Sequence, residues 1–445
     1  MSPLFSVSGT LTSRFDAQSA DHVPPEIAES ALRKVRWRLI PFLFLLYVIA
    51  YLDRVNVGFA AIDMNRDLGF SASVYGLGSG IFFLSYTLLE VPSNLMLARF
   101  GARRWIARIM ATWGVLSCLM IFVDSPARFY AIRFLLGAAE AGFFPGIILY
   151  LTQWFPARER ARAIGLYMTA TAMAGVIGAP LSSALLQMHG AFGWHGWQWL
   201  FLAEGVPAIL LAPVVLVYLT ERPRDATWLT ADERAWLAAE MANDHAHSPQ
   251  AHATLTAATR SGRLWALAAI YLCIVIGFYG ITFWLPQIVQ SISTLGSATV
   301  VLLSAIPYIS ATIGLIVIGS RSDRCRERRW HVAMPCLIGA SGFLLTVLAP
   351  QHPAVTLTTL SIAAFGIWGA LGPFWAMPTA MLRGTAAAGG IAIVNSIGNI
   401  GGFAGPYLMG WIRESTGGFA AGLLTLAACL IAGAIAVLRL QEPER

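Results

Sequence analysis

Charge is scarce in this chain of 445 residues: Asp, Glu, Lys and Arg supply 12 % of it, against about 25 % in a soluble protein. Apolar residues make up 57 %, more than a soluble core of this size can hide, so hydrocarbon is the solvent that fits. Lysine is almost missing, with Lys34 the sole example. The net charge of +7 therefore resides in arginines gathered in short runs between apolar segments. No basic face interleaved with stacking aromatics occurs, which excludes nucleic acid as a partner. The five cysteines (Cys118, Cys273, Cys325, Cys336, Cys429) show no paired spacing, so neither a disulfide framework nor the usual zinc and dithiol patterns are present. The first 30 residues are polar and mixed in charge, unlike a cleavable signal peptide. The first apolar run is expected to be a retained membrane span.

A helix needs about 20 apolar residues to cross hydrocarbon, because each residue rises about 1.5 Å through about 30 Å. Twelve such runs are present. They lie near 37–60, 73–97, 105–123, 127–151, 161–187 and 197–219, then near 263–290, 297–320, 332–349, 354–382, 386–412 and 417–438. The expected fold is an all-α integral membrane protein of two six-helix bundles, 37–219 and 263–440, with tails 1–36 and 441–445. Arginine bias gives the orientation. Arg99, Arg103, Arg104 and Arg108 follow span 2, Arg158, Arg160 and Arg162 follow span 4, and Arg321, Arg324, Arg326, Arg328 and Arg329 follow span 8. Loops on the other side hold little beyond Arg66, Arg128 and Arg413. Both termini are thus expected in the cytoplasm.

The polar stretch 220–262 separates the halves. Within it Thr230-Ala-Asp-Glu233 has capping-box spacing ahead of Trp236, Leu237 and Met241, which predicts a short amphipathic helix on the cytoplasmic surface, then a loose tail through His245, His247 and Pro249. The halves also share landmarks. Ala98-Arg99 matches Asp323-Arg324 at an offset of 225 residues (98 to 323), and Gly178-Ala-Pro180 matches Gly405-Pro406 at 226 (180 to 406). Parallel repeats of this kind build transporters with a site between the halves.

An ionisable residue inside a span costs about 2.5–3.5 kcal/mol on insertion scales, so each needs a reason. The candidates are Asp53, Arg54, Glu90, Arg133, Glu140 and Glu204. All eight histidines fall in loops or at their edges, so a proton carried through the membrane must ride on a carboxylate. Arg133 and Glu140 stand seven residues apart on span 4, on one face and about 10.5 Å apart along the axis. Gly137 between them leaves room for a ligand or another helix. Arg133 is a candidate anion anchor and Glu140 a candidate proton acceptor; an internal salt bridge that packs the bundle is the alternative. Asp53 and Arg54 are neighbours and point about 100° apart. The guanidinium fork of Arg54 suits a carboxylate, and Asp53 could neutralise an arginine when the site is empty. Glu90, just before Pro92, Ser93 and Asn94, and Glu204, after Trp197, Gln198 and Trp199, read as structural. Tyr279, Phe278, Trp284, Trp368, Phe374 and Trp375 belong to interfacial belts and helix packing, with some lining a cavity. Gln287, Asn395 and Asn399 either orient polar groups of a ligand or hold helices together.

These residues resemble the major facilitator superfamily across nearly the whole chain. Gly319-Ser-Arg-Ser-Asp323-Arg324 fits its Gly-x-x-x-Asp-Arg loop signature, and Arg133-x-x-x-Gly137 its second motif. Gly175, Gly178 and Pro180 resemble a span 5 motif usually linked to antiporters. In the first-half loop Asn94 and Ala98 replace the expected Gly and Asp. Tyr51-Leu-Asp-Arg-Val-Asn-Val-Gly-Phe-Ala60, Glu90-Val-Pro-Ser-Asn94, Trp228-Leu-Thr-Ala-Asp-Glu-Arg-Ala-Trp-Leu237 and Gly384-Thr-Ala-Ala-Ala-Gly-Gly390 with Asn395-Ser-Ile-Gly-Asn399 resemble its anion:cation symporter branch. That resemblance implies import of carboxylates such as tartrate, phthalate, nicotinate, hydroxyphenylacetate or sugar acids, usually with protons, by a protein of the inner (plasma) membrane. It implies that spans 1, 4, 7 and 10 line the cavity. Arg54 and Arg133 would then face substrate, Asp53 and Glu140 handle protons, and Tyr51 and Tyr86 hydrogen-bond in the cavity with Tyr279, Gln287, Trp375, Asn395 and Asn399. Asp323, Arg324 and Arg99 would serve the cytoplasmic gate.

The expected partners are a small organic anion, protons and the lipid bilayer, in a monomer with no cofactor or metal. An organic-anion exchanger would use the same arginines. A drug exporter suits two cavity arginines poorly, and a membrane enzyme finds no metal spacing, nucleophile elbow or sizeable soluble domain. A nontransporting sensor on the same fold would separate only in a flux assay.

Overall fold

Without water in the bilayer, each backbone N–H and C=O must find its partner within the segment, and a helix does this residue by residue. In the computed structural model, which describes residues 25–246, 261–325, 327–349, 352–381 and 385–440, all the regular elements are helices. The six spans of the first half are Pro25–Leu68, Ala72–Phe100, Ala102–Phe122, Pro126–Thr152, Arg162–Leu186 and Gly196–Tyr218. Those of the second half are Gly262–Gln290, Ser297–Cys325, Arg329–Leu348, Pro353–Pro378, Thr385–Thr416 and Ala420–Arg439. Among the described residues, eleven helices are long and apolar enough by length and composition to cross a membrane. Span 11, Thr385–Thr416, reaches 32 residues and carries Asn395 and Asn399 among its glycines. Span 1 extends further toward its N-terminus than the apolar run, starting at Pro25 rather than near residue 37.

Span 4 is broken. Its first part ends at Glu140, Ala141 caps it, and Gly142 adopts φ 85°, ψ −3° before the helix resumes at Phe143. That backbone geometry is left-handed and is open to glycine at little cost. Glu140 therefore stands at a helix end in the middle of the bundle.

The halves meet through spans 2 and 11, 1 and 7, and 5 and 8. Glycines let the first two pairs approach. A Cβ on Gly76 would lie 2.7 Å from the Pro406 carbonyl oxygen, one on Gly80 2.7 Å from that of Phe403, and one on Gly410 2.4 Å from that of Ala72. These contacts lie toward the face away from the linker, and polar bonds reinforce them there. The Ser297 hydroxyl donates to Asp63 at 2.6 Å, Ser73 N–H to Glu414 at 2.7 Å, and the Tyr75 hydroxyl to the Phe283 carbonyl at 2.8 Å. The two halves are closed against each other at that face.

At the linker face the helix Ala231–Ala246 packs against span 1. The capping box expected from its sequence is present: Glu233 N–H donates to Thr230 Oγ1 at 3.3 Å, and Thr230 N–H to Glu233 Oε2 at 2.9 Å. Leu237 and Met241 are buried beneath it. Lys34 and Ser30 of span 1 donate to the same carboxylate, both at 2.7 Å. The helix runs through His245 to Ala246. The tail expected through His247 and Pro249 lies outside the described residues, as do Arg326 and Gly384.

Candidate functional site

Arg54 and Glu140 form an ion pair in the middle of the bundle. Arg54 is 7 % exposed and Glu140 fully buried. Fourteen residues separate Arg54 from the end of span 1 at Leu68 and Glu140 from the start of span 4 at Pro126, so both sit about 21 Å below that face. The aromatic surroundings come from three spans. Arg54 lies over the rings of Tyr86 at 5.1 Å and Phe82 at 5.6 Å on span 2. Tyr279 of span 7, in the other half, interacts with the same guanidinium. Tyr86 and Tyr279 are buried, and Tyr51 is 2 % exposed. Among the described residues, Arg54 Nε, Glu140 Oε2 and the Tyr51 hydroxyl have no hydrogen-bond partner. A buried cation–carboxylate pair with spare donors, walled by aromatic faces, is chemistry suited to an anion.

The pairing differs from the sequence expectation in one respect. Glu140 reaches Arg54 on span 1 rather than serving a ligand site with Arg133 on its own helix. Arg133 is fully buried and turns to span 2, donating from Nε to the Gly78 carbonyl at 3.2 Å and from Nη2 to that of Ser79 at 3.3 Å. Its guanidinium also lies 4.9 Å from the Phe82 ring centre, and Nη1 has no hydrogen-bond partner among the described residues. Gly137 gives room to a helix: a Cβ there would fall 2.0 Å from the Phe82 carbonyl oxygen. Asp53 faces span 3, where it accepts from the Ser117 hydroxyl, and Asn56 donates to it at 3.2 Å. Asp53 and Arg54 thus look in different directions, as their adjacency on a helix requires.

Other expected ligand residues fall into separate zones. Gln287 belongs to the closed face: Arg413 Nη1 donates to its Oε1 at 2.9 Å and Asn65 Nδ2 at 3.5 Å. Those residues, with Arg66, Gln290 and Glu414, line a cleft of about 500 Å³ on that face. Trp375 is half-buried nearer the linker face, edge-on to Tyr271 with ring centres 4.9 Å apart. Asn395 and Asn399, one turn apart on span 11, reach across the halves. Asn395 Nδ2 donates to Glu90 Oε1 at 2.8 Å and Asn399 Nδ2 to Glu90 Oε2 at 3.4 Å. Sequence spacing could not find this link, because more than 300 positions separate the partners. Glu90 lies one turn from Tyr86 on span 2 and is 6 % exposed.

In the last turn of span 8, rather than in the loop after it, Asp323 pairs with Arg328 at 2.7 Å, and the same guanidinium donates to the Ser322 hydroxyl at 2.8 Å. Arg99 lies over its neighbour Phe100. In the first half Glu221, after span 6, accepts from the N–H groups of Ala102 and Arg103 at 2.6 and 3.2 Å. A carboxylate thus stands at the N-terminus of span 3, where the helix dipole favours it. Glu204 accepts from Ser182 within the first half, in keeping with a structural part. Two histidines meet an acid at the face away from the linker: His195 Nδ1 lies 2.8 Å from Asp67, and the His189 and His195 rings are 5.3 Å apart. Gly196 N–H donates to His189 Nδ1 at 3.4 Å, so hydrogen bonds within the loop account for this exposed cluster.

The family model described as the Major Facilitator Superfamily matches residues 43–406. The chain belongs to the major facilitator superfamily. Among curated members, a protein of Agrobacterium vitis named "Putative tartrate transporter" is 48 % identical, over 94 % of this chain and 96 % of its own. An Acinetobacter baumannii member named "Quinolone resistance transporter" is 40 % identical over 92 % and 94 %. A solved bacterial homolog of the human lysosomal transporter Spinster, inward-facing and occupied, superposes with TM-score 0.73 at 18 % identity, over 91 % of this chain and 96 % of that one. The fold and the two-bundle organisation of the superfamily are therefore those of this protein. It is a multi-pass membrane transporter, not an enzyme.

Proposed function

We propose that the protein is a proton-coupled importer of small organic carboxylates in the plasma membrane, working as a monomer with the linker face in the cytoplasm. The observation that carries this reading is the buried Arg54–Glu140 pair walled by Tyr86, Phe82 and Tyr279. While Glu140 is ionised, it occupies the guanidinium fork that a ligand carboxylate needs. A proton on Glu140 removes that competitor and leaves Arg54 to bind the anion. The neutralised assembly then crosses the membrane potential at less cost, since one charge moved through 100 mV is worth about 2.3 kcal/mol. Asp53, held by Ser117 and Asn56, is a second protonation site one step from Arg54. Arg133 holds span 2 in register beneath the aromatic wall, and Asp323, Arg324 and Arg99 act at the cytoplasmic gate. The tartrate name of a 48 % identical relative supports a hydroxy dicarboxylate as substrate.

The test is lumen acidification in proteoliposomes loaded with a pH-sensitive dye, on adding aromatic, hydroxy or sugar acids outside. Protein-free vesicles control for passive leak. Acidification by one acid class, lost in Glu140→Gln, is the expected result. Exchange of preloaded tartrate without proton movement would replace symport by antiport.

A further inference from the structure

Glu90 is a buried carboxylate that this mechanism leaves without a task. Both of its oxygens accept amide N–H groups from the opposite half, Asn395 at 2.8 Å and Asn399 at 3.4 Å. A carboxylate only accepts, so each asparagine must present its NH2 there. Two amides converging on one carboxylate form a carboxylate-binding site, currently filled by the protein's own side chain. Both asparagines are half-buried rather than sealed in the packing. Tyr86 connects the two zones: it lies one turn before Glu90 and beneath Arg54. By residue count from the helix ends, Arg54 lies about 21 Å from the closed face and Asn399 about 25 Å. Among the described residues, the ionisable groups within electrostatic reach of Glu90 include Arg54 of span 1, Tyr86 of its own span and Tyr271 of span 7.

We infer that Glu90 is an internal substitute for a substrate carboxylate, occupying the amides of Asn395 and Asn399 in the empty carrier and yielding them to the ligand. Arg54 takes one carboxylate of a short dicarboxylate and the two amides take the other. Protonating Glu90 removes the charge assistance of both bonds, so acid frees the second subsite as it frees Arg54 from Glu140. The same span 2–span 11 contact is thereby broken by ligand, which couples occupancy to separation of the halves. This inference rests on the carboxylate reading of the Arg54 site.

The experiment measures equilibrium binding of L-tartrate to purified full-length protein by isothermal titration between pH 5 and 8, with malonate and succinate as further probes. Glu90→Gln keeps the shape but offers a weaker, neutral acceptor. It should bind tartrate about tenfold more tightly than wild type at pH 8, the scale of weakening two charge-assisted bonds. The gap should close toward pH 5, where the wild type is protonated too. Glu90→Asp, which keeps the charge, should restore the wild-type pH profile, and Asn395→Ala should weaken binding at every pH. Equal or weaker binding by a folded Glu90→Gln, with the wild-type pH profile, overturns the inference and makes Glu90 a tie between helices. If wild type itself binds none of the three acids, the carboxylate reading fails and this inference fails with it, a result distinct from the former.

Discussion

Gly137 sets how closely span 4 approaches span 2. A Cβ added there, as in an alanine, would fall 2.0 Å from the Phe82 carbonyl oxygen and 2.4 Å from Ser85 Oγ. Backbone cannot swing aside as a side chain can, so Gly137→Ala should destabilise by at least the 1–3 kcal/mol typical of overpacking. Gly165 is the control, since nothing lies within 4 Å of its added Cβ. Thermal unfolding in detergent should show a clear fall for Gly137→Ala and little change for Gly165→Ala. Equal behaviour of the two would refute the packing account. The same comparison explains what the sequence could not tell about Arg133. Its spacing from Gly137 is legible, and so is its rarity inside a span. Its partners are carbonyl oxygens of span 2, which leave no mark in any side-chain pattern. Arg54 differs because its partner is a side chain. Arg54→Lys keeps the charge but loses the planar fork, and should weaken tartrate binding about tenfold or more with folding intact. Direct titration of the purified variant checks this.

At the scale of elements, the linker helix is the part most completely legible. Its cap, its acidic third residue and its apolar face all follow from Thr230-Ala-Asp-Glu233 and the residues after it. Its dock on span 1 through Lys34 and Ser30 is not written locally. Burial pushes the Glu233 carboxyl up, but the hydrogen bond from Lys34, with those from Thr230 and Ser30, outweighs it and holds the group down at about 2. Its ordinary value is 4.5, so the folded state binds its proton less readily than the free helix. The docking energy is therefore fully present above pH 4.5 and is lost as pH falls toward 2. Hydrogen-exchange protection factors across 231–246, taken against the intrinsic rate at each pH, should fall over that window in the wild type. Glu233→Ala, which removes the returning half of the capping box and the anchor for Lys34 and Ser30, should show low protection at neutral pH already. Protection factors that stay unchanged through that window in the wild type would contradict the assignment. The break in span 4 belongs to this scale too. Gly142 at φ 85° is a glycine in a run that otherwise reads as continuous helix, and only the fold shows that the chain turns there to leave Glu140 at a helix end.

At the scale of the whole molecule, the twelve spans and the duplication are legible because hydrocarbon imposes a length and a polarity that composition records. The glycines of span 11 serve close contact with spans 2 and 7. Which side of the carrier is shut depends on those same glycines. Gly76 meets Gly410 and Pro406, and Gly410 meets Ala72, all through backbone. A large side chain at Gly410 has no room while the halves meet there, so Gly410→Trp should hold that face open. Spin labels at the exposed positions Arg128 and Leu295, one in each half, report on it. The label distance should lengthen in Gly410→Trp relative to wild type, and tartrate should still bind. Transport across the bilayer should be lost, since the cycle requires both faces to close in turn. An unchanged label distance in a folded Gly410→Trp would mean that spans 2 and 11 yield locally. The halves would then not move as rigid bodies about the Arg54 site.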